Sequence, residues 1–323
     1  MAEADDETVG YKRPSVSSPR PAGFSAQLLA NKKATFGVLI VVLFVVVALL
    51  CPLFVRDPSA FLSVPLAPPS AEYWFGTTGQ GQDVFAQTLY GARSSLWIGF
   101  FVGITVVIIG TSVGLTAGYF GGAVDDGLTT LINVFLIMPG LPLAVVLAIY
   151  LPAGPLTIAF VLIVTGWSWH ARVIRAQTLS LRGKDFVNAA IVSGEGHLRI
   201  MFVEILPNMT SLNVSGFIGA TVYAIGAQVG LEFLGLGDVG VVTWGTNLYW
   251  AANNQALLTE SWWTIVPTGF GIAIIGFALV MINFAIDEVT NPRLRAEASF
   301  SERLRQGGVK RSFSTPVIKR SDG

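Results

Sequence analysis

The residues of this chain that could do chemistry unaided are few, and their spacing assembles no catalyst. His170 and His197 are its two histidines and Cys51 its one cysteine. No H-E-x-x-H pair is present to hold zinc. One cysteine builds neither an internal disulfide nor a cysteine-pair metal site. Gly183-Lys184 comes nearest to a phosphate loop. Thr178, however, stands where the G-x-x-x-x-G-K-[ST] pattern needs its first glycine, and Asp185 follows the lysine. No nucleophile is paired with a base in a local pattern. His170, beside Trp169 at the end of an apolar run, reads as a surface or interfacial histidine. If the protein takes part in work, the energy comes from another chain.

The elements that carry these residues explain the scarcity. Only 12% of the 323 residues are charged and 52% are apolar, with a mean hydropathy of +0.63. A soluble domain carries about 25% charged residues, so membrane integration is expected. Apolar stretches run over Thr35–Val55, Leu96–Gly118, Leu128–Leu151, Pro152–Trp169, Leu212–Phe233 and Trp262–Ile286. Each is long enough, the fourth only just, to cross the roughly 30 Å hydrocarbon core as a helix of about 20 residues. The first reads as a retained anchor, since no small-residue cleavage site follows it. Residues 1–34 form a polar N-terminal segment, partly disordered, 35–290 a six-span domain, and 291–323 a polar, basic tail. Lys and Arg concentrate before the first span, between spans four and five (Arg172, Arg175, Arg182, Lys184, Arg199), and in the tail. The connection between spans five and six has neither. The bias of positive charge toward the cytoplasm puts both termini and the 170–208 connection there. Equal numbers of acidic and basic residues give no reason to expect a nucleic-acid partner.

No Asp, Glu, Lys or Arg falls inside any of the six stretches; Glu232, Asp287 and Glu288 sit at their ends. Proton relays and voltage sensors need such groups at depth, which argues against a proton-driven pump. Asn133, Asn213, Gln228 and Asn283 are the polar candidates within spans, for helix–helix hydrogen bonds or for a ligand. Gly99, Gly103, Gly110, Gly114 and Gly118 recur at spacings that let a neighbouring helix approach. Pro139 and Pro142, in "MPGLP", predict a kink in the third span.

Against this background "NAAIVSGEGHLRIMFVEILPN", residues 188–208, is a polar island. Phe186, Ala189, Ala190 and Ser193 fall at i, i+3, i+4 and i+7, one small smooth face of a helix that Asp185 can cap. Gly194 and Gly196 then turn the chain. Leu198, Met201, Phe202, Ile205 and Leu206 form the apolar face of a second helix, which Pro207-Asn208 ends. Two short helices on a glycine elbow suit either interfacial anchoring or docking into a partner's groove.

The run Asn188-Ala189-Ala190, then Gly194, then Leu206-Pro207 resembles the EAA loop of ABC-type importer permeases, with Asn188 for its glutamate and Glu204 for its isoleucine. "FGTTGQGQDVFAQTLYGARSSL" resembles the signature of the dipeptide and oligopeptide permease C-subunits. Gly76, Thr77, Gly81, Asp83, Val84, Tyr90, Gly91 and Arg93 fit it, while Thr78 replaces an Asp and Gln82 an Arg. "FLGLG" at 233–237, "WG" at 244–245 and "NPRLR" at 291–295 extend the resemblance, the last with Asn291 for the usual Asp. It implies an all-α integral membrane protein with six transmembrane helices, the type I ABC importer permease fold and a cytoplasmic coupling helix. It also implies a second homologous permease subunit, two ABC ATPase subunits that hold ATP and Mg, and an extracytoplasmic substrate-binding protein. This chain would hold no cofactor and hydrolyse nothing. ATPase coupling would fall to Asp185, Phe186, Asn188, Ala189, Ala190, Gly194, Glu195, Gly196, Leu206 and Pro207 of the 185–208 loop. Asp238, Trp244, Asn247 and Trp250 would face the binding protein. Relatives of this kind carry peptides, nickel or oligosaccharides, so substrate stays open. A stand-alone transporter, channel or membrane scaffold is the competing class, and recovery of ATPase subunits with the chain would discriminate.

Overall fold

The computed structural model describes residues 31–61 and 63–290. The expected N-terminal segment, except Asn31 to Ala34, and the 291–323 tail with its 291–295 motif lie outside the described residues. Nine α-helices organise the described chain: α1 Lys32–Phe54, α2 Val84–Phe120, α3 Gly122–Ile137, α4 Gly140–Tyr150, α5 Pro155–Arg182, α6 Asp185–Val192, α7 Thr210–Phe233, α8 Trp244–Asn253 and α9 Val266–Thr290. A continuous lead-in joins α6 to α7: one α turn at His197–Arg199, a π segment at Ile200–Ile205 and a 3-10 turn at Leu206–Met209. Among the described residues the only β-pairing is an isolated bridge between Thr77 and Asp83.

Five helices, counting α7 with its lead-in, are long and apolar enough to cross a membrane. A sixth crossing exists if α3 and α4 act together across the 86° bend between them. The expected single kinked third span is therefore two helices. Pro139 caps α4 rather than bending a continuous helix, and Pro142 lies in the first turn of α4, where a missing N–H breaks no bond. Several other boundaries move outward from the apolar runs, as at Val84, Gly122 and Arg182. α2 begins at Val84 and not at Leu96, because Asp83 caps it by accepting from Phe85 N–H at 2.9 Å. Its 37 residues reach about 55 Å at 1.5 Å each, well beyond the hydrocarbon. α5 carries the expected loop arginines on its own surface. Arg175 forms an ion pair with Asp125 of α3 (Nη2–Oδ2 2.7 Å), and Arg172 donates to Asn133 of the same helix at 2.9 Å.

α2 is the central strut. It runs parallel to α5, with Gly110 and Gly114 against Ala171 and Gly118 against Thr178. It runs antiparallel to α7, with Gly99 against Ile225 and Gly103 against Thr221 and Phe217. A Cβ at Gly114 would collide with Ala171 O and stand 2.9 Å from Arg175 N, so helix backbones set the spacing. One core cluster joins α2, α4, α5 and α7 around Ile98, Ile158 and Leu162. A second joins α1, α2, α7 and α9 around fully buried Trp244. Asn31 and Lys33 at the start of α1 meet Glu288 at the end of α9, at 3.2 and 3.4 Å, so α1 begins and α9 ends on the same side of the bundle.

Candidate functional site

At the bundle end that also bears Lys33 and Glu288, the chain builds a pinned knuckle. α6 starts after Lys184, whose extended backbone makes it the cap; Asp185 sits one position inside and faces the helix dipole instead of capping. The helix ends in a Schellman motif. Gly194 takes φ +77°, its N–H reaches Ile191 O (3.0 Å), and Glu195 N–H reaches Ala190 O (3.1 Å). Gly194 and Gly196 both face open space. The small face expected from spacing is split. Ala190 turns inward with Val187, while Phe186, Asn188, Ala189 and Ser193 are exposed and Val192 is 89% exposed.

The second helical period is also displaced. Ile200, Met201, Ile205 and Met209 are buried, whereas Leu198 and Phe202 are exposed. A π turn holds more residues than an α turn and rotates the apolar face. Pro207 does not end the helix. It falls where bonding passes from π (Leu206 N–H to Met201 O) to 3-10 (Thr210 N–H to Pro207 O), and the chain continues into α7. Pro207 is exposed, and Leu206 packs against the core below the knuckle.

That core locks the knuckle to the long helices. Leu115 and Tyr119 of α2 and Ile174 of α5 pack with Val187 and Ala190 of α6 and with Ile200, Met201 and Ile205. The Tyr119 hydroxyl hydrogen-bonds His197 Nδ1 at 2.9 Å, and Phe120 packs on the same imidazole. Glu195 pairs with Arg199 at 2.8 Å across one exposed turn. α6 is thus a rigid outward-facing bump, fixed to the ends of α2 and α5.

Deeper in the bundle lies a cavity of about 620 Å³, walled by α2, α3, α5, α7 and α9 and by the α3–α4 break at Met138 and Gly140. His170, expected at the surface, is buried here. Its Nε2 lies 3.2 Å from Thr111 Oγ1 and 3.1 Å from Asn213 Oδ1. Sequence spacing could not place it, because α5 runs on past the apolar stretch. Asn283 accepts from Ser215 at 2.6 Å at the same wall.

The opposite end is knitted by the signature residues. Thr77 Oγ1 accepts from Ala67 N–H (2.8 Å) and donates to Val64 O (2.7 Å), while Gly76 and Gly81 adopt positive φ. Gln82, in place of the signature's Arg, bonds Ser59 O and Gln87. Trp244 is 0% exposed and donates to Thr88 O, and Asn247 is buried and donates to Gln87 O. Both are packing residues and are removed from any surface a binding protein could touch. Asp238 is exposed, and half-buried Trp250 donates to Val239 O. Glu232, read as a span-end charge, is buried and receives hydrogen bonds from Thr243 and Gln228. Among the described residues no cluster of three or more His, Cys, Asp or Glu side chains could hold a metal ion.

Residues 110–296 match the family described as binding-protein-dependent transport system inner membrane component. The dipeptide transport system permease protein DppC of Bacillus subtilis is 32% identical over 300 residues, 91% of each chain. The oligopeptide transport system permease protein OppC of the same organism is 32% identical over 82% of this chain and 87% of its own. The DppC of Alkalihalophilus pseudofirmus is 31% identical over 84% of this chain and 89% of its own.

Proposed function

The chain belongs to the family of binding-protein-dependent transport system inner membrane components, and from that premise we propose how its parts divide the labour of import. It is a permease subunit of an ABC transporter, not an enzyme, and works with ATPase subunits and a substrate-binding protein. The proposed cargo is peptide, after the curated relatives' names. The proposed assembly is this chain, one homologous permease, two ATPases that hold ATP and Mg, and one extracytoplasmic binding protein. The termini and α6 face the cytoplasm. The 56–83 and 234–265 segments face outside, where Asp238 and Trp250 remain the binding-protein contacts.

One observation carries the mechanical reading: α6 presents an exposed face on an elbow whose inner side is packed onto α2 and α5. ATP-driven closure of the ATPases pushes that face. Because Tyr119, Val187 and Ile200 share one core, the push moves α2 and α5 and not the loop alone. Those helices wall the cavity, so its opening alternates between the two sides of the membrane. Asn188 stands where the family pattern has a carboxylate, so docking rests on shape and backbone. The test is Ala189→Trp, which adds bulk to an exposed position and leaves the inner core intact. Uptake by the reconstituted complex should fall at least about tenfold, a loss of roughly 1.4 kcal/mol of docking energy. Unchanged uptake and unchanged substrate-stimulated ATP hydrolysis would refute docking at this face.

A further inference from the structure

A groove on one flank of the bundle takes no part in the coupling path. It lies between α1 and α2 and encloses about 820 Å³. Val45, Ala48 and Leu49 of α1 form one wall, and Trp97, Phe101 and Ile104 of α2 form the other. The α2 residues fall at i, i+4 and i+7, a single helical stripe, and all three are exposed, as is Leu49. The Trp97 and Phe101 rings stack at 5.2 Å with only 8° between their planes, which makes that wall flat and apolar.

The groove is polar at one end only. Tyr90 and Arg93 stand at the end nearer Val84, three residues apart on one helix face. Arg93 is the one charged residue in the lining, and it is exposed. Among the described residues its guanidinium has no ion-pair partner. It lies just before the apolar run that starts at Leu96, so it sits where headgroups meet hydrocarbon. From Arg93 to Ile104 the helix rises about 16 Å at 1.5 Å per residue. That is the depth of one leaflet, half of a roughly 30 Å hydrocarbon core. Phe217, stacked on Phe100 at 6.1 Å, lines both this groove and a second one beside Phe202 and Pro207, and so stands where the first ends. A partner's transmembrane helix would need a strip of about 30 Å, twice this length. A cation above an apolar strip one leaflet deep is instead complementary to a phospholipid.

The geometry points to a site for an anionic phospholipid of the outer leaflet. Arg93 and the Tyr90 hydroxyl hold the headgroup phosphate, and one acyl chain lies along Leu49, Trp97, Phe101 and Ile104. The site does not depend on the cargo, and an inverted orientation would move it to the other leaflet intact.

The experiment uses the complete transporter in bilayers containing phosphatidylglycerol or phosphatidylcholine with a photoactivatable diazirine on one acyl chain. Adducts are located by peptide mass spectrometry. Phosphatidylglycerol should label the 45–49 and 97–104 segments about fivefold more than phosphatidylcholine, the usual worth of one basic side chain against anionic lipid. Arg93→Gln should abolish that preference and leave phosphatidylcholine labelling unchanged, which shows the groove still formed; Arg93→Lys should keep it. Equal labelling of the wild type by the two lipids, or a preference that survives Arg93→Gln, overturns the site. Absence of lipid adducts in both segments, whether the groove is bare or covered by the second permease, overturns it too. If Arg93→Gln does not assemble, the wild-type ratio still decides.

Discussion

Gly114 and Gly276 are both helical glycines, yet a side chain should do opposite things at the two. At Gly114 a Cβ meets the backbone of Ala171 and Arg175, which cannot rotate away. Gly114→Val should therefore force α2 and α5 apart and cost about 1–3 kcal/mol, read as a lowered melting temperature of the detergent-solubilised chain. At Gly276 nothing lies within 4 Å. Gly276→Ala should leave stability unchanged or raise it by up to about 1 kcal/mol through helix propensity. Equal melting shifts at the two positions would contradict the packing account. The glycine spacing in α2 was readable in the sequence as a contact surface. What it did not contain is the division into one face for α7 and another for α5, which depends on where two distant helices cross. His170 was misread, and the burial of Glu232 at its span end was missed, for a related reason. Each sits at the end of an apolar run, and its burial comes from another segment: Thr111 and Asn213 for one, the Thr243 turn for the other.

At the scale of elements, the connection between the knuckle and α2 narrows to one side-chain hydrogen bond over a shared apolar core. Tyr119→Phe keeps the ring against Leu115 and His197 and removes the 2.9 Å bond to Nδ1. The fold should lose only about 0.5–1.5 kcal/mol. The expected signature is functional: ATP hydrolysis continues while the amount of solute taken up per ATP falls, because α6 can then shift without carrying α2. A variant with the wild-type ratio of uptake to hydrolysis would show that the apolar core alone transmits the motion. Helix periodicity revealed the two helical segments and the glycine elbow, since Gly194 needs positive φ there. It missed the π segment, because a π turn is set by how Ile200–Ile205 seats against Tyr119 and Ile174 and not by the residue types. It likewise read "MPGLP" as a bend in one helix. Two prolines with a glycine between them can either kink a helix or end it. Here the flanking pieces pack separately, α4 against Ala159 and Leu162 of α5, so the chain breaks.

For the molecule as a whole, hydropathy and charge placement carried most of the architecture, and the structure adds a physical tie between its two ends. Lys33 and Asn31 meet Glu288, so α1 begins and α9 ends on one side. The knuckle lies on that side too, because α2 and α5 run parallel from the far end down to α6. Which side faces the cytoplasm follows from the distribution of Lys and Arg, a rule about membrane insertion that the fold alone cannot express. Cysteine labelling tests the assignment cleanly, because the one native thiol is buried: Cys51 is 0% exposed and its sulfur donates to Ala48 O. In intact cells a membrane-impermeant maleimide should not label the wild-type chain. Glu72→Cys lies in the 56–83 segment, and Glu72 makes only a 4.0 Å ion pair between exposed groups, worth about 0–1 kcal/mol, so the substitution should not disturb the fold. It should label from outside. Asn188→Cys, on the exposed face of α6, should label only after the membrane is permeabilised, and docked ATPase subunits should slow the reaction further. Labelling of both positions from the same side would break the six-crossing topology. Labelling of Asn188→Cys alone in intact cells would invert it and remove the ATPases' access to α6.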